Sequence, residues 1–201
     1  YGYRNLRSFP LMPHFFGLPY IDVRLSFNSF IPSDLEENLA DRLVDYYINR
    51  LLAEPTLHDK VEFEVVYSCY TLDLPQRLER LAEAGFSKDE CQSIADSLRR
   101  LTNRIVNHKE GLWRLDAAKL DTLDVRRKKL LESDADMLEQ IYWLLEDTKR
   151  YGTLPFAGLA RAGFIAVQML KSVVTTGVFS TSDYDSFIGS ISTVSGQLAR
   201  D

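Results

Sequence analysis

The chain is predicted to be mainly α-helical, a bundle-like helical domain carrying one small antiparallel two-stranded β element. Three observations predict this. Apolar residues recur at three- and four-residue spacing through most of the chain. Capping boxes at Ser33/Glu36 and Ser87/Glu90 mark helix starts. Strict period-two alternation is confined to residues 20–27 and 60–67. With 201 residues, 45% hydrophobic and 26% charged, the composition suits a soluble globular chain and excludes a disordered tail, a collagen-like fibre and a disulfide-stapled mini-protein. One domain over 1–201 is expected, with a strand–helix–strand subregion at 1–72 and a helical subregion at 73–201.

Residues 1–19 contain Pro10, Pro13 and Pro19 and the aromatics Tyr1, Tyr3, Phe9, Phe15 and Phe16. They read as an irregular, apolar, packed segment. In 20–27, Ile21, Val23, Leu25 and Phe27 alternate with Tyr20, Asp22, Arg24 and Ser26. In 60–67, Val61, Phe63 and Val65 alternate with Glu62, Glu64 and Val66. Pairing the two as strands would set Asp22 and Arg24 near Glu62 and Glu64. Between them Leu35, Leu39, Leu43, Ile48, Leu51 and Leu52 give a helical stripe that Pro55 ends.

From Asp73 the chain reads as successive helices. Asp73 and Pro75 start a short one that Gly85 stops. Ser87 and Glu90 start the next, whose face is Ile94, Leu98, Leu101 and Ile105, with a Phe86–Cys91 staple at its start and Gly111 as its break. Residues 112–150 contain no Gly or Pro and predict one long helix, or two with a break near Ser133 and Asp134. Leu130, Met137, Ile141, Leu144 and Leu145 form the expected core stripe. Residues 151–155 read as a turn. Residues 156–174, rich in small residues, read as a buried central helix, interrupted by Arg161, Gln168 and Lys171 and so not a membrane span. Ser182 is expected to cap a last helix running through Leu198. The chain begins without Met and ends at Gln197–Asp201 with no helix stop signal, so both ends read as cut from a longer polypeptide.

The net charge is −5, from 24 Lys and Arg against 29 Asp and Glu, which argues against a general nucleic-acid binder. Cys69 and Cys91 have no CxxC partner and read as reduced thiols of a cytoplasmic protein. His14, His58 and His108 lack metal-ligand spacing and read as surface or capping residues. No GxGxxG, GxxxxGK[ST] or GxSxG motif occurs. GLARAG at 158–163 lies in a helical pattern and reads as helix packing rather than a phosphate loop. The run Arg126, Arg127, Lys128, Lys129 reads as a solvated helix face. Glu62 and Glu64, on one strand face, are either a carboxylate pair for a cation or acid–base work, or a solvated face paired with Arg24. Arg161 lies in the most apolar helix. It calls for a buried carboxylate, an escape to solvent or an anionic ligand.

Four stretches together, YGYRNLRSFP at 1–10, GLPYIDVRLSFNSFIP at 17–32, KVEFEVV at 60–66 and GTLPFAGLAR at 152–161, resemble the middle region of phosphoenolpyruvate synthase and pyruvate phosphate dikinase-like proteins. The likeness is to members in which a helical segment separates an ATP-grasp domain from a swivelling phosphohistidine domain, an order that rifamycin phosphotransferases share. The resemblance implies an interdomain or acceptor-substrate-binding segment of an ATP-dependent phosphotransferase. ATP and magnesium would be expected for the parent and no cofactor in this segment. The flanking ATP-grasp and phosphohistidine domains would be its partners, a small anionic substrate such as pyruvate its ligand, with no nucleic acid and no membrane. The group's Thr-x-x-Gly-Gly-x-x-x-His motif is not in this sequence, so the segment is expected to be inactive alone. A structural spacer orienting the neighbouring domains is the alternative. The candidate substrate-binding residues are Arg24, Glu62, Glu64 and Arg161. No residue is assigned a catalytic, cofactor-binding or metal-binding role.

Overall fold

Helix dominates the computed structural model of the chain, which describes residues 1–6 and 9–191. One two-stranded antiparallel sheet accompanies the helices, as the mainly α prediction requires. Its location differs from the prediction. The strands are β1, His14–Phe15, and β2, Leu18–Pro19, joined by a tight turn. Phe16 and Gly17 both have positive φ, 52° and 81°, the backbone a two-residue type I′ hairpin turn needs. Gly17 adopts it freely, whereas Phe16 does so against its side chain.

Neither alternating segment is a strand. Residues 20–27 enter helix α1, Val23–Asn28, which Asp22 caps by accepting a hydrogen bond from the Leu25 N–H at 2.9 Å. Residues 61–65 form a π-helical turn, closed by the Val66 N–H donating to the Val61 carbonyl at 3.1 Å. The reason is geometric. In a short alternating run, residues 21 and 25, 23 and 27, or 61 and 65 are also four apart and share a helix face. A capping aspartate at the start then decides for helix.

Helix α2, Glu37–Ala53, follows, capped by Glu36 through its own carboxylate rather than by Ser33. The Ser33 N–H instead donates to the Gly2 carbonyl. Leu39, Leu43, Val44 and Tyr47 are buried, while Leu52 is exposed. A 3₁₀ turn at Pro55–Asp59 ends this region. Helices α3, Leu74–Arg77, and α4, Glu79–Glu83, are short and stop at Gly85, whose φ is +89°. Helix α5, Lys88–Val106, has the predicted Ser87/Glu90 capping box and buries Ile94, Leu98, Leu101 and Ile105. The main core unites α1, α2, α5 and the segment around Val65, Val66 and Tyr67, and includes Phe86 with Cys91 packed against it.

Helices α6, Leu112–Leu131, and α7, Met137–Asp147, are two rather than one long helix, with the break near Ser133 and Asp134. The stripe assigned to the core is not buried. Met137, Ile141 and Leu145 are exposed. Residues 151–155 are not a turn out of the helix either. A π-helical segment, Thr148–Thr153, leads directly into α8, Leu154–Thr175. The wider π turn absorbs Pro155, which has no N–H to donate, without breaking the rod. The resulting 39-residue helix, Met137–Thr175, contains a window long and apolar enough to cross a membrane, and only 17% of that window is buried. The expectation that 156–174 is a buried central helix is corrected, because most of its residues are only partly covered. Pro155, Ile165, Gln168 and Ser172 are the buried residues of α8. Helix α9, Thr181–Ser190, is capped by Ser180 with Asp183, two residues before the predicted cap. The expected continuation through Leu198, and the last residues to Asp201, lie outside the described residues, as do Arg7 and Ser8.

A second, smaller core positions the site. Cys69, Leu101, Ile105 and Ile165 are buried together, with Tyr1, Tyr3, Leu112, Ala162 and Met169 packed against them. It ties the first residues of the chain to α5, α6 and α8.

Candidate functional site

The N-terminal strand of backbone is held flat on this second core. The Arg4 N–H donates to the Ile31 carbonyl and the Ser33 N–H to the Gly2 carbonyl, both at 2.8 Å. The Tyr3 hydroxyl donates to the Ser68 carbonyl at 2.7 Å. Gly2 has a φ of +100°, and an added Cβ would stand 3.1 Å from the Leu101 side chain, so both conformation and space call for glycine.

Across from these residues, α6 and α8 approach at Gly158. A Cβ there would fall 2.0 Å from Asp116 Oδ2 and 2.7 Å from the Tyr1 hydroxyl. The missing side chain is what lets the Asp116 carboxylate and the Tyr1 ring close on the same point. Asp116 is 6% exposed, and its Oδ1 accepts from Lys119 Nζ, one turn on, at 2.9 Å. Three residues past Gly158, Arg161 projects from α8. Its guanidinium carbon lies 4.1 Å from the centre of the Phe30 ring and 4.8 Å from that of Tyr3. Tyr1, Tyr3, Arg104, Asp116, Lys119 and Arg161 are among the residues lining a cleft of about 430 Å³.

Of the outcomes weighed for Arg161, neither a buried carboxylate partner nor an escape of the guanidinium to solvent is met among the described residues. It forms no ion pair among the described residues, and its Nη1 is buried without a hydrogen-bond acceptor. Two aromatic faces supply the local compensation instead. Burial pushes the guanidinium below its ordinary pKa, while Tyr3 and Glu62 oppose that shift. The group stays charged at neutral pH. Burial likewise pushes the Tyr3 phenol up to about 12, with Arg161 opposing. Burial and the neighbouring Asp116 carboxylate raise the Tyr1 phenol as well. Both tyrosines are therefore neutral hydroxyls at physiological pH.

The other predicted site residues are distributed differently. Arg24 pairs with Asp45 of α2 at 2.6 Å on an exposed surface, not with Glu62 or Glu64. Asp45 in turn lines a separate groove of about 630 Å³ with Arg42, Arg50, Arg80 and Glu83. Glu62 and Glu64 do not share a face, because two positions apart in a helical turn point in different directions. Glu64 is exposed. Glu62 belongs to the surroundings of Arg161, and its backbone carbonyl accepts from Gln168 Nε2 of α8 at 3.1 Å. Phe63 packs edge-on against Phe164 with centroids 5.3 Å apart, seating the turn on α8. Of the four, only Arg161 lines the cleft; Glu62 sits on the turn that packs on α8, and Arg24 and Glu64 lie elsewhere.

Sequence reasoning missed Tyr1, Tyr3, Arg104, Asp116 and Lys119. Asp116 and Lys119 carried a local signal, a charge pair at i,i+3 on one helix face. The others are joined to them only by the fold. Among the described residues no three His, Cys, Asp or Glu side chains gather as a metal site would need. Neither protein-family models, curated proteins nor solved structures yield a match to this chain.

Proposed function

We propose that the chain is an interdomain, acceptor-binding segment of a phosphoenolpyruvate-synthase-like phosphotransferase, holding a small anion and inactive alone. One observation carries this reading. A charged arginine, Arg161, with a buried donor nitrogen that lacks an acceptor, stands in the wall of a cleft that also holds Arg104 and Lys119. Asp116 neutralises Lys119, so two guanidinium charges remain to attract an anion. Stacking on aromatic rings repays part of the desolvation of Arg161 but leaves its charge uncancelled, which favours an anionic ligand over an empty cleft. ATP and magnesium are assigned to the neighbouring ATP-grasp domain and the phosphocarrier histidine to the swivelling domain, all in the cytoplasm.

The test is a thermal shift of the 201-residue chain with pyruvate, phosphoenolpyruvate, phosphate and ATP. A ligand at a hundredfold excess over its dissociation constant adds about 2.7 kcal/mol of stability. Pyruvate or phosphoenolpyruvate should raise the melting temperature of the chain and of Arg24→Ala, whose ion pair lies away from the cleft. Arg161→Gln should abolish the shift while retaining the circular dichroism spectrum. No shift with any of the four overturns the reading.

A second reading, a spacer that orients neighbouring domains, is favoured by the exposed Met137, Leu138, Ile141, Tyr142 and Leu145 of α7. An apolar face of that extent suits docking against another domain. Recovery of full parent activity with Arg161→Gln, and its loss when α7 is made polar, would favour the spacer.

A further inference from the structure

The cleft has two chemically different poles, and the proposal that follows rests on its binding a small anion at all. One pole is cationic: Arg161 and Arg104, neither ion-paired among the described residues. The other is a carboxylate. Asp116 is nine-tenths buried, yet lines the cleft. A carboxylate offers about four acceptor positions. Lys119 fills one, at 2.9 Å, and the adjacent Tyr1 hydroxyl can fill at most one more. Acceptor capacity therefore remains on a carboxylate that lines the cleft. A ligand carrying only negative charge would leave that capacity facing a like charge. Keto and carboxylate oxygens bring acceptors to it and no donor, and a hydroxyl brings the donor it lacks.

We infer that the cleft selects a small hydroxy acid, its anionic group held toward Arg161 and Arg104 and its hydroxyl donating to the Asp116 carboxylate. Asp116 of α6 and Arg161 of α8 both line the one cleft, with Gly158, one helical turn before Arg161, seating the Asp116 carboxylate against α8. Gly158 is integral to this arrangement, because a Cβ would occupy the position of Asp116 Oδ2. Tyr1 is a neutral hydroxyl beside the carboxylate and completes the polar end.

The probes are 3-hydroxybutyrate and butyrate, which differ by one hydroxyl, titrated against the chain by ligand-observed NMR. A hydrogen bond to a charged acceptor predicts that 3-hydroxybutyrate binds about tenfold or more tightly than butyrate. Asp116→Asn should reduce that ratio severalfold, and Arg161→Gln should weaken both ligands about tenfold or more. Should Asp116→Asn not fold, the ratio on the unchanged chain decides. Equal affinities, with both lost in Arg161→Gln, overturn the hydroxy-acid inference and leave the anion reading standing. A preference that persists in folded Asp116→Asn overturns the role given to Asp116. Binding of neither probe overturns the hydroxy-acid inference, and no response to pyruvate, phosphoenolpyruvate, phosphate or ATP overturns the anion reading itself.

Discussion

Gly158 stands where two helices, a buried carboxylate and a tyrosine ring converge, and its single hydrogen is all the space permits. Replacing it tests that convergence directly. Gly158→Ala must displace Asp116 or Tyr1, since the added carbon would lie 2.0 and 2.7 Å from their oxygens. The expected loss is about 1–3 kcal/mol, the usual cost of overpacking, read from urea denaturation. Gly163→Ala, with open space around its Cα, is the control and should keep or raise stability, as alanine favours helix. A Gly158→Ala chain as stable as the parent would show that α6 and α8 have slack here. Cys69 tests a second residue-scale point. Burial pushes its thiol up to about 11, so at pH 8 it should resist maleimide in the folded chain and react on unfolding. Arg161 was legible in the sequence as an anomaly, a charge inside an apolar helix. Its partners were not, because Tyr3 and Phe30 lie more than a hundred residues away and nothing local announces that they stack on it.

Helix α5 shows what an element reveals when all its signals agree. Ser87 and Glu90 form the reciprocal cap, and Ile94, Leu98, Leu101 and Ile105 repeat along the face that is buried. Ser87→Ala should cost about 1 kcal/mol, the usual worth of a cap. Glu90 also pairs with Arg42 of α2. Its carboxyl is held below the ordinary glutamate value, chiefly by the Ser87 backbone N–H and then by Arg42, against the opposing effect of burial. A depressed folded pKa means that its contribution is complete above about 4.5, the ordinary value. That contribution declines as pH falls below this value and is gone beneath the folded one. Glu90→Gln should therefore have a flatter stability profile below pH 4.5, and an unchanged acid slope would refute the coupling. Elements with short or conflicting signals were misread. Residues 20–27 and 60–67 alternate, but so few apolar positions satisfy helical spacing equally well. The Asp22 cap and the Val61–Val66 π turn settle them as helical. The true hairpin was marked only by Gly17, since Phe16 is an unfavourable choice for positive φ.

At the scale of the whole molecule, the long rod Met137–Thr175 leaves much of its apolar surface uncovered. Its predicted burial assumed that an apolar stripe must face this chain's own core. In the fold, α7 projects beyond the two cores formed around α2, α5 and the first residues. Substituting Met137, Leu138 and Leu145 with Lys, Gln or Glu should each change stability by no more than about 0.5 kcal/mol, as for surface positions generally. Leu98→Ala, in the main core, should cost about 2–5 kcal/mol. Losses of the second size on α7 would mean that its exposed face is covered in solution.

By itself the sequence determined the helical class, the extent of α5, the point at which 112–150 could divide and the oddity of Arg161. These rest on caps, glycine stops and spacing within a few turns, where neighbours in the chain are neighbours in space. Only the tertiary structure decided where the small sheet lies, that α7 and α8 run on through Pro155, and that Tyr1, Tyr3, Arg104 and Asp116 share a cleft with Arg161. Those outcomes depend on packing between segments distant in sequence. A local pattern constrains which face of a helix is apolar, but not which segment, if any, comes to cover it.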